Sequence, residues 1–173
     1  SGTYPTLRHA LFEELWTLMR PLTHSARERL MRRLRAWHIM PERRARARAR
    51  PLAGEEIRKL GAAPLIEIGA HTLTHPLLAA LPLEEQWREI EASKRRLQSI
   101  LRAPVDSFAY PYGGRDAFTR ETQALVKEAG FALACSTRSA RVKRRGNILA
   151  LPRLAVGNWS ARAFRRWLEA WAD

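Results

Sequence analysis

The stretch Leu65-Ile66-Glu67-Ile68-Gly69-Ala70-His71-Thr72-Leu73-Thr74-His75-Pro76 reads as a short apolar strand, Leu65 to Gly69, running into a turn that carries two histidines. Open α/β sheets and barrels hold their reactive groups at the carboxyl ends of strands, because loops there converge on one point. Pro76 biases His75 away from helical conformation, so the two histidines sit in a turn and do not share a helix face. Thr72 and Thr74 supply hydroxyls that cap nearby backbone groups and hold such a turn tight.

Working outward, the texture on both sides of this block is alternating helix and short strand. A helix from Gly54 to Leu60 precedes it. A long helix from Leu83 to Leu101 follows, with Trp87, Ile90, Leu97 and Leu101 on one side. Next come a strand from Ser107 to Tyr110, the turn Pro111-Tyr112-Gly113-Gly114, a helix from Thr119 to Ala129 and the apolar strand Phe131 to Cys135. A last strand, Leu149 to Val156, leads into a helix from Ala161 to Trp171. This order favours an α/β layer architecture with helices over a largely parallel sheet. Residues 1–51 read as a separate helical section. Leu7, Leu11, Leu15, Leu18 and Met19 recur at helical steps, and Ser25 is the expected N-cap of a second helix reaching Trp37, with Leu30, Met31 and Leu34 on its buried side. The arginine- and alanine-rich stretch from Pro41 to Pro51 reads as a linker or exposed insertion, its structure open.

With 173 residues, 46% of them hydrophobic and 28% charged, the chain fits an ordinary globular composition. No run is long and apolar enough for a membrane helix, and the N-terminus lacks a signal-peptide pattern. A single cysteine, Cys135, excludes an internal disulfide and a thiolate metal cluster; its apolar neighbours Phe131 to Ala134 read it as core. The net charge of +14 raises a nucleic-acid reading. The densest basic runs, Arg43 to Arg50 and Arg141 to Arg145, contain no interleaved aromatics on which bases would stack, so they read as solvated surface and no specific nucleic-acid partner is expected.

Imidazole suits zinc and related divalent ions, and a catalytic site takes about three protein ligands with a position left for water. His71 and His75 are two. The Tyr110-Pro111-Tyr112-Gly113-Gly114 turn ends the next expected strand and forms a neighbouring rim. The other histidines, His9, His24 and His38, fall in the helical front section and read as surface or packing residues.

The blocks Ile66 to Pro76 and Phe108 to Gly113, in this order and spacing, resemble those of the polysaccharide deacetylase family, carbohydrate esterase family four. The resemblance runs from about Leu52 to the C-terminus. It implies a distorted α/β barrel, here a partial one with a helical N-terminal section. It also implies removal of N-acetyl groups from N-acetylglucosamine units of a glycan, with zinc or another divalent ion such as cobalt polarising the acetyl carbonyl and activating water. His71 and His75 match the metal-binding pair. Tyr112 matches the position whose backbone N–H stabilises the oxyanion, an interaction worth on the order of 3 kcal/mol.

Three positions depart from the family pattern. The adjacent aspartates that supply the general base and third metal ligand are missing, since the aspartates here are Asp106, Asp116 and Asp173. In family order that motif precedes Ser1, which implies a chain shortened at its N-terminus, inactive by itself, with exposed sheet edges and apolar surface. The opening Ser1, in place of Met, agrees with a fragment or a processed product. Where many members carry an arginine two residues before the motif proline, this chain has Ala109. The late leucine-x-histidine motif is matched only by Leu151-Pro152-Arg153; a guanidinium does not donate and recover a proton near neutral pH, although Arg153 is able to stabilise negative charge. Asp116 reads as a solvated loop carboxylate. Glu67 is expected to be a hydrogen-bonded carboxylate in a polar barrel interior, and Trp159 to line a sugar groove or the core. The alternatives are a metal-binding homologue without catalysis and a basic nucleic-acid-binding module. The particular glycan, compartment and oligomeric state stay open.

Overall fold

Two helices lead the chain, α1 (Leu7–Met19) and α2 (His24–Trp37), followed by α3 (Gly54–Gly61), α4 (Leu83–Leu101), strand β1 (Ser107–Ala109), α5 (Arg120–Glu128), strand β2 (Leu133–Cys135) and α6 (Ala161–Ala172). The structure, a computed structural model, describes residues 6–37 and 50–172. Most of the arginine-rich stretch, with His38, therefore lies outside the described residues.

β1 and β2 pair in parallel, Phe108 opposite Ala134, and single bridges add Ala70 beside Phe108 and Leu151 beside Cys135. The result is a narrow parallel array in the order Ala70, β1, β2, Leu151, with α4 and α5 packed together beside it. This is the expected α/β class, with strands shorter than the sequence suggests.

The expected strand from Leu65 to Gly69 does not form. A turn bonds the Ile66 N–H to the Ala63 carbonyl, and the chain joins the array only at Ala70, whose N–H donates to Ser107 while its carbonyl accepts from Ala109. Gly69 passes so close to Ser107 that a Cβ would lie 2.6 Å from its hydroxyl oxygen. Glu67 is exposed, without the hydrogen-bonded interior place expected for it, because the segment before Ala70 runs along the surface of the described residues. The expected strand from Leu149 to Val156 is replaced by a 3-10 turn, Ile148–Ala150, and the one bridge at Leu151. Pro152, next in line, has no N–H to extend a ladder.

The core gathers Ala70, Leu78, Ile90, Val105, Phe108, Tyr110, Val126, Phe131 and Ala134. Tyr110 stacks on Phe118 at 3.7 Å, and its hydroxyl, fully buried with the ring, donates to the Leu149 carbonyl at 2.8 Å. Burial pushes that hydroxyl's pKa well above the ordinary tyrosine range. α4 turns Gln86, Ile90 and Ser93 inward, so its buried face is rotated from the expected one and leaves Trp87 half-buried. Buried Gln86 is satisfied twice, donating to the Leu81 carbonyl and accepting from the Thr122 hydroxyl, which ties α4 to α5. Cys135 is half-buried at the end of β2.

α1 and α2 bury no residue fully. Leu7, Leu11 and Leu18 are exposed, while Leu30, Met31 and Leu34 are half-buried. The cap of α2 is Thr23 and not Ser25: its carbonyl and hydroxyl accept from the Arg27 and Ala26 N–H groups.

Candidate functional site

The array delivers two turns to one place. The first leaves Ala70, which is pinned to β1, and carries His71 to His75. The second leaves β1 through Tyr110, whose N–H donates to the Cys135 carbonyl. Both begin at the carboxyl ends of neighbouring parallel segments, so their side chains meet at one rim.

In the first turn, Thr72 and His75 adopt left-handed φ of 63° and 57°. This conformation is costly for residues with a Cβ and persists where neighbours impose it. The constraints are visible. The Thr72 hydroxyl donates to the His71 carbonyl and accepts from the His75 N–H. Glu89, on α4, accepts from the Leu73 and Thr74 N–H groups at 2.8 and 2.9 Å and from the Thr74 hydroxyl at 2.6 Å. Arg27, on α2, donates from both terminal nitrogens to the His75 carbonyl at 3.3 and 3.4 Å.

These contacts bring the His71 and His75 rings to 4.8 Å, edge to face. His71 Nδ1 lies 2.6 Å from the Ala109 carbonyl oxygen. A carbonyl only accepts, so Nδ1 carries the proton, and in the neutral ring Nε2 is then the nitrogen with the free lone pair, the tautomer suited to metal ligation. Partial desolvation lowers the His75 pKa, with the neighbouring His71 and the Arg27 cation adding to the effect and a backbone hydrogen bond opposing it. His75 still has solvent-exposed surface, so the shielding is one-sided. The pair fits a divalent ion by donor type, and His71 also by tautomer. Among the described residues, no group of three or more His, Cys, Asp or Glu side chains assembles.

Tyr112 follows in the second turn with φ 61°, and the Gly113 N–H closes back on the Pro111 carbonyl at 2.7 Å. A three-residue turn with positive φ at its centre is rare and strained. Gly113 suits it: with φ 62°, a Cβ there would meet the Thr137 nitrogen at 2.7 Å. Thr137 locks the turn, its hydroxyl donating to the Tyr112 carbonyl and its N–H to the Gly113 carbonyl. The Tyr112 N–H has no partner among the described residues, and the Tyr112 ring lies 4.9 Å from that of His75.

The front helices reach this rim. Arg20, the C-cap of α1, pairs with Asp116 at 2.8 Å and places its guanidinium 5.0 Å from the Tyr112 ring centroid, while Trp16 meets that ring edge to face at 5.9 Å. Asp116 is therefore an ion-pair partner, although well exposed. From the sequence alone, Glu89, Arg27 and Trp16 read as ordinary helix residues and Arg20 as a residue between two helices, so none of the four stands out.

Arg153 lies elsewhere in its bonding: Nε donates to the Ser136 carbonyl at 2.8 Å and its N–H to the Arg138 carbonyl, beyond the end of β2. None of these bonds reaches His71, His75 or Tyr112. Trp159 is exposed and meets Trp167 at 5.2 Å, so it packs on α6. The basic run Arg141 to Arg145 is exposed, with Arg141 5.9 Å from the Trp171 ring.

The polysaccharide deacetylase profile matches residues 35–134, which contain both turns. The chain belongs to the polysaccharide deacetylase family. Solved structures with the same fold include the Streptococcus pyogenes deacetylase PplD in complex with acetate, at 21% identity and a TM-score of 0.62, covering 69% of this chain and 52% of that one. IcaB from Ammonifex degensii aligns at 26% identity and a TM-score of 0.56, with the same coverages. The BpsB deacetylase domain from Bordetella bronchiseptica aligns at 14% identity and a TM-score of 0.54, covering 68% of this chain and 57% of that domain. No curated protein matches the sequence. The chain thus spans little more than half the length of these deacetylases. Its narrow parallel array is part of the deformed barrel that the family shares.

Proposed function

We propose that these residues form part of a metal-dependent hydrolase that removes N-acetyl groups from N-acetylglucosamine-containing glycans. The observation that carries the reading is the His71 Nδ1 contact with the Ala109 carbonyl, which frees Nε2 beside the His75 ring. His71 and His75 would hold zinc, or another divalent ion such as cobalt. When bound, such an ion polarises an acyl oxygen and makes hydroxide available near neutral pH.

The chain's own residues then divide the work. His71 presents a fixed tautomer because Ala109 holds its other nitrogen. The lowered pKa of His75 keeps its imidazole neutral, and therefore able to ligate, to lower pH than an ordinary histidine. The Tyr112 N–H, without a partner among the described residues, is the donor offered to a developing oxyanion. Arg153, bonded to the Ser136 and Arg138 carbonyls, is given no proton-transfer role in this reading. In this reading the third ligand and the general base come from outside the described residues.

The test combines binding and turnover. Calorimetric zinc titration of the chain should lose its site in His71→Ala and His75→Ala. In a longer form that supplies a third ligand and a general base, acetate release from a chitooligosaccharide should need zinc and vanish in His71→Ala. Release that survives His71→Ala would overturn the reading.

A second reading, a metal-binding homologue without turnover, draws support from Arg153, whose Nε is already committed to Ser136. Zinc binding without acetate release from the longer form would favour it.

A further inference from the structure

α1 lies outside the segment matched by the family profile, yet it forms one side of the rim. Rings continue outward from the histidine pair: His71 to His75 at 4.8 Å, His75 to Tyr112 at 4.9 Å, Tyr112 to Trp16 at 5.9 Å. Trp16 remains 42% exposed at the outer end. Its orientation is set by Arg20, one helical turn on, whose guanidinium lies 5.6 Å from the Trp16 centroid and is clasped by Asp116. One turn the other way, Phe12 continues the stripe and is 62% exposed.

This seam is poorly explained as packing alone. Arg20 Nε and Arg27 Nε are both shielded from solvent without a hydrogen-bond partner among the described residues. Such donors cost stability, and persist in native structures where another requirement outweighs them. Here the two arginines contact the Tyr112 ring and the His75 carbonyl, and the clasp leaves Trp16 partly exposed beside the rim.

We propose that Trp16 is a carbohydrate-contacting platform that α1 adds to the site. It takes the apolar face of a pyranose next to the reacting N-acetyl unit, with Phe12 extending the track along the helix. The ligand class is a β-linked polymer of N-acetylhexosamine, whose equatorial substituents leave flat C–H faces for aromatic rings to cover. Arg20 is a positioning residue acting through Trp16 and Tyr112. The inference rests on the glycan reading above but needs no turnover.

The probe is the N-acetylglucosamine pentamer, titrated into the zinc-supplemented chain while indole N–H signals are followed by NMR, with Trp16→Phe assigning the Trp16 signal. The Trp16 signal should shift. Trp16→Ala should weaken binding about fivefold, Phe12→Ala about twofold, and Trp16→Phe should stay within about twofold of wild type. Trp171→Phe should bind as wild type. A Trp16 signal that stays still while others move, wild-type affinity in Trp16→Ala, or no binding by the wild type would each overturn the platform. The wild-type signal decides the matter even if Trp16→Ala folds poorly. Zinc affinity should be unchanged in Trp16→Phe. Failure of the hydrolase reading shows separately, as acetate release indifferent to His71→Ala.

Discussion

The segment from Ala70 to Ser136 and the front pair α1–α2 are built on opposite terms. The first holds the whole hydrophobic core of the described residues, with Phe108, Tyr110, Ile90 and Val126 almost wholly inaccessible. The second has no fully buried residue and keeps Leu7, Leu11, Phe12 and Leu18 in solvent. Yet the front pair touches the candidate site through Trp16, Arg20 and Arg27. Stability therefore comes from the core segment, while both parts shape the site. The core segment aims two turns at one rim, and the surface helices hold the outer side by a few polar and aromatic contacts.

The sharpest way to break this contrast is a matched pair of truncations. Phe108→Ala, which removes a ring packed against Tyr110 and Phe131, should cost about 3–5 kcal/mol of unfolding free energy, against less than about 0.5 kcal/mol for Phe12→Ala. Urea denaturation measures both. Comparable losses would show that the front pair is part of one cooperative core.

Glu89→Ala comes next, since it strips one turn of three donors' partner at once. A loss of about 2–3 kcal/mol is expected. Zinc affinity should drop by about tenfold or more, as for supporting groups behind metal ligands. Stability lost without any change in zinc affinity would separate Glu89 from the site.

Arg27→Ala should be milder, about 1 kcal/mol, because its bonds to the His75 carbonyl are long and partly solvated. Hydrogen exchange at residues 72–76 reads the effect locally, and unchanged exchange would detach α2 from the histidine turn.

The smallest effect is in pH. His75 has a folded pKa below the ordinary 6.5, so the unfolded chain binds more protons in the window from 6.5 down to the folded value. Without metal, stability should therefore fall as pH drops through that window. His75→Gln should flatten the slope there, as seen by urea midpoints between pH 7.5 and about 5. An unaltered slope would assign the protons to another group.

What the sequence revealed follows from the range of each interaction. The limits of α4 are legible because Pro82, Glu84, Glu85 and the spacing of Ile90, Leu97 and Leu101 all act locally. His71, His75 and Tyr112 stand out for the same reason, each within a compact turn pattern. The strands expected over Leu65 to Gly69 and Leu149 to Val156 shrink to single bridges at Ala70 and Leu151, because apolar composition does not show where a ladder finds a neighbour. Glu89, Arg20 and Arg27 were invisible for a deeper reason: Arg20 meets Asp116 across 96 residues, and Arg27 meets His75 across 48. No local pattern encodes such a meeting.

The left-handed backbone at Thr72, His75 and Tyr112 has an evolutionary corollary. Glycine occupies that conformation with less strain, so each exchange would relieve the backbone, at position 72 against the loss of the hydroxyl that bonds His71 and His75. At position 75 the same exchange deletes an imidazole. At position 112 it deletes the ring on which Arg20 rests. Selection for a robust protein and selection for a working one pull in opposite directions at these residues. A lineage released from its chemistry should drift toward glycine there first.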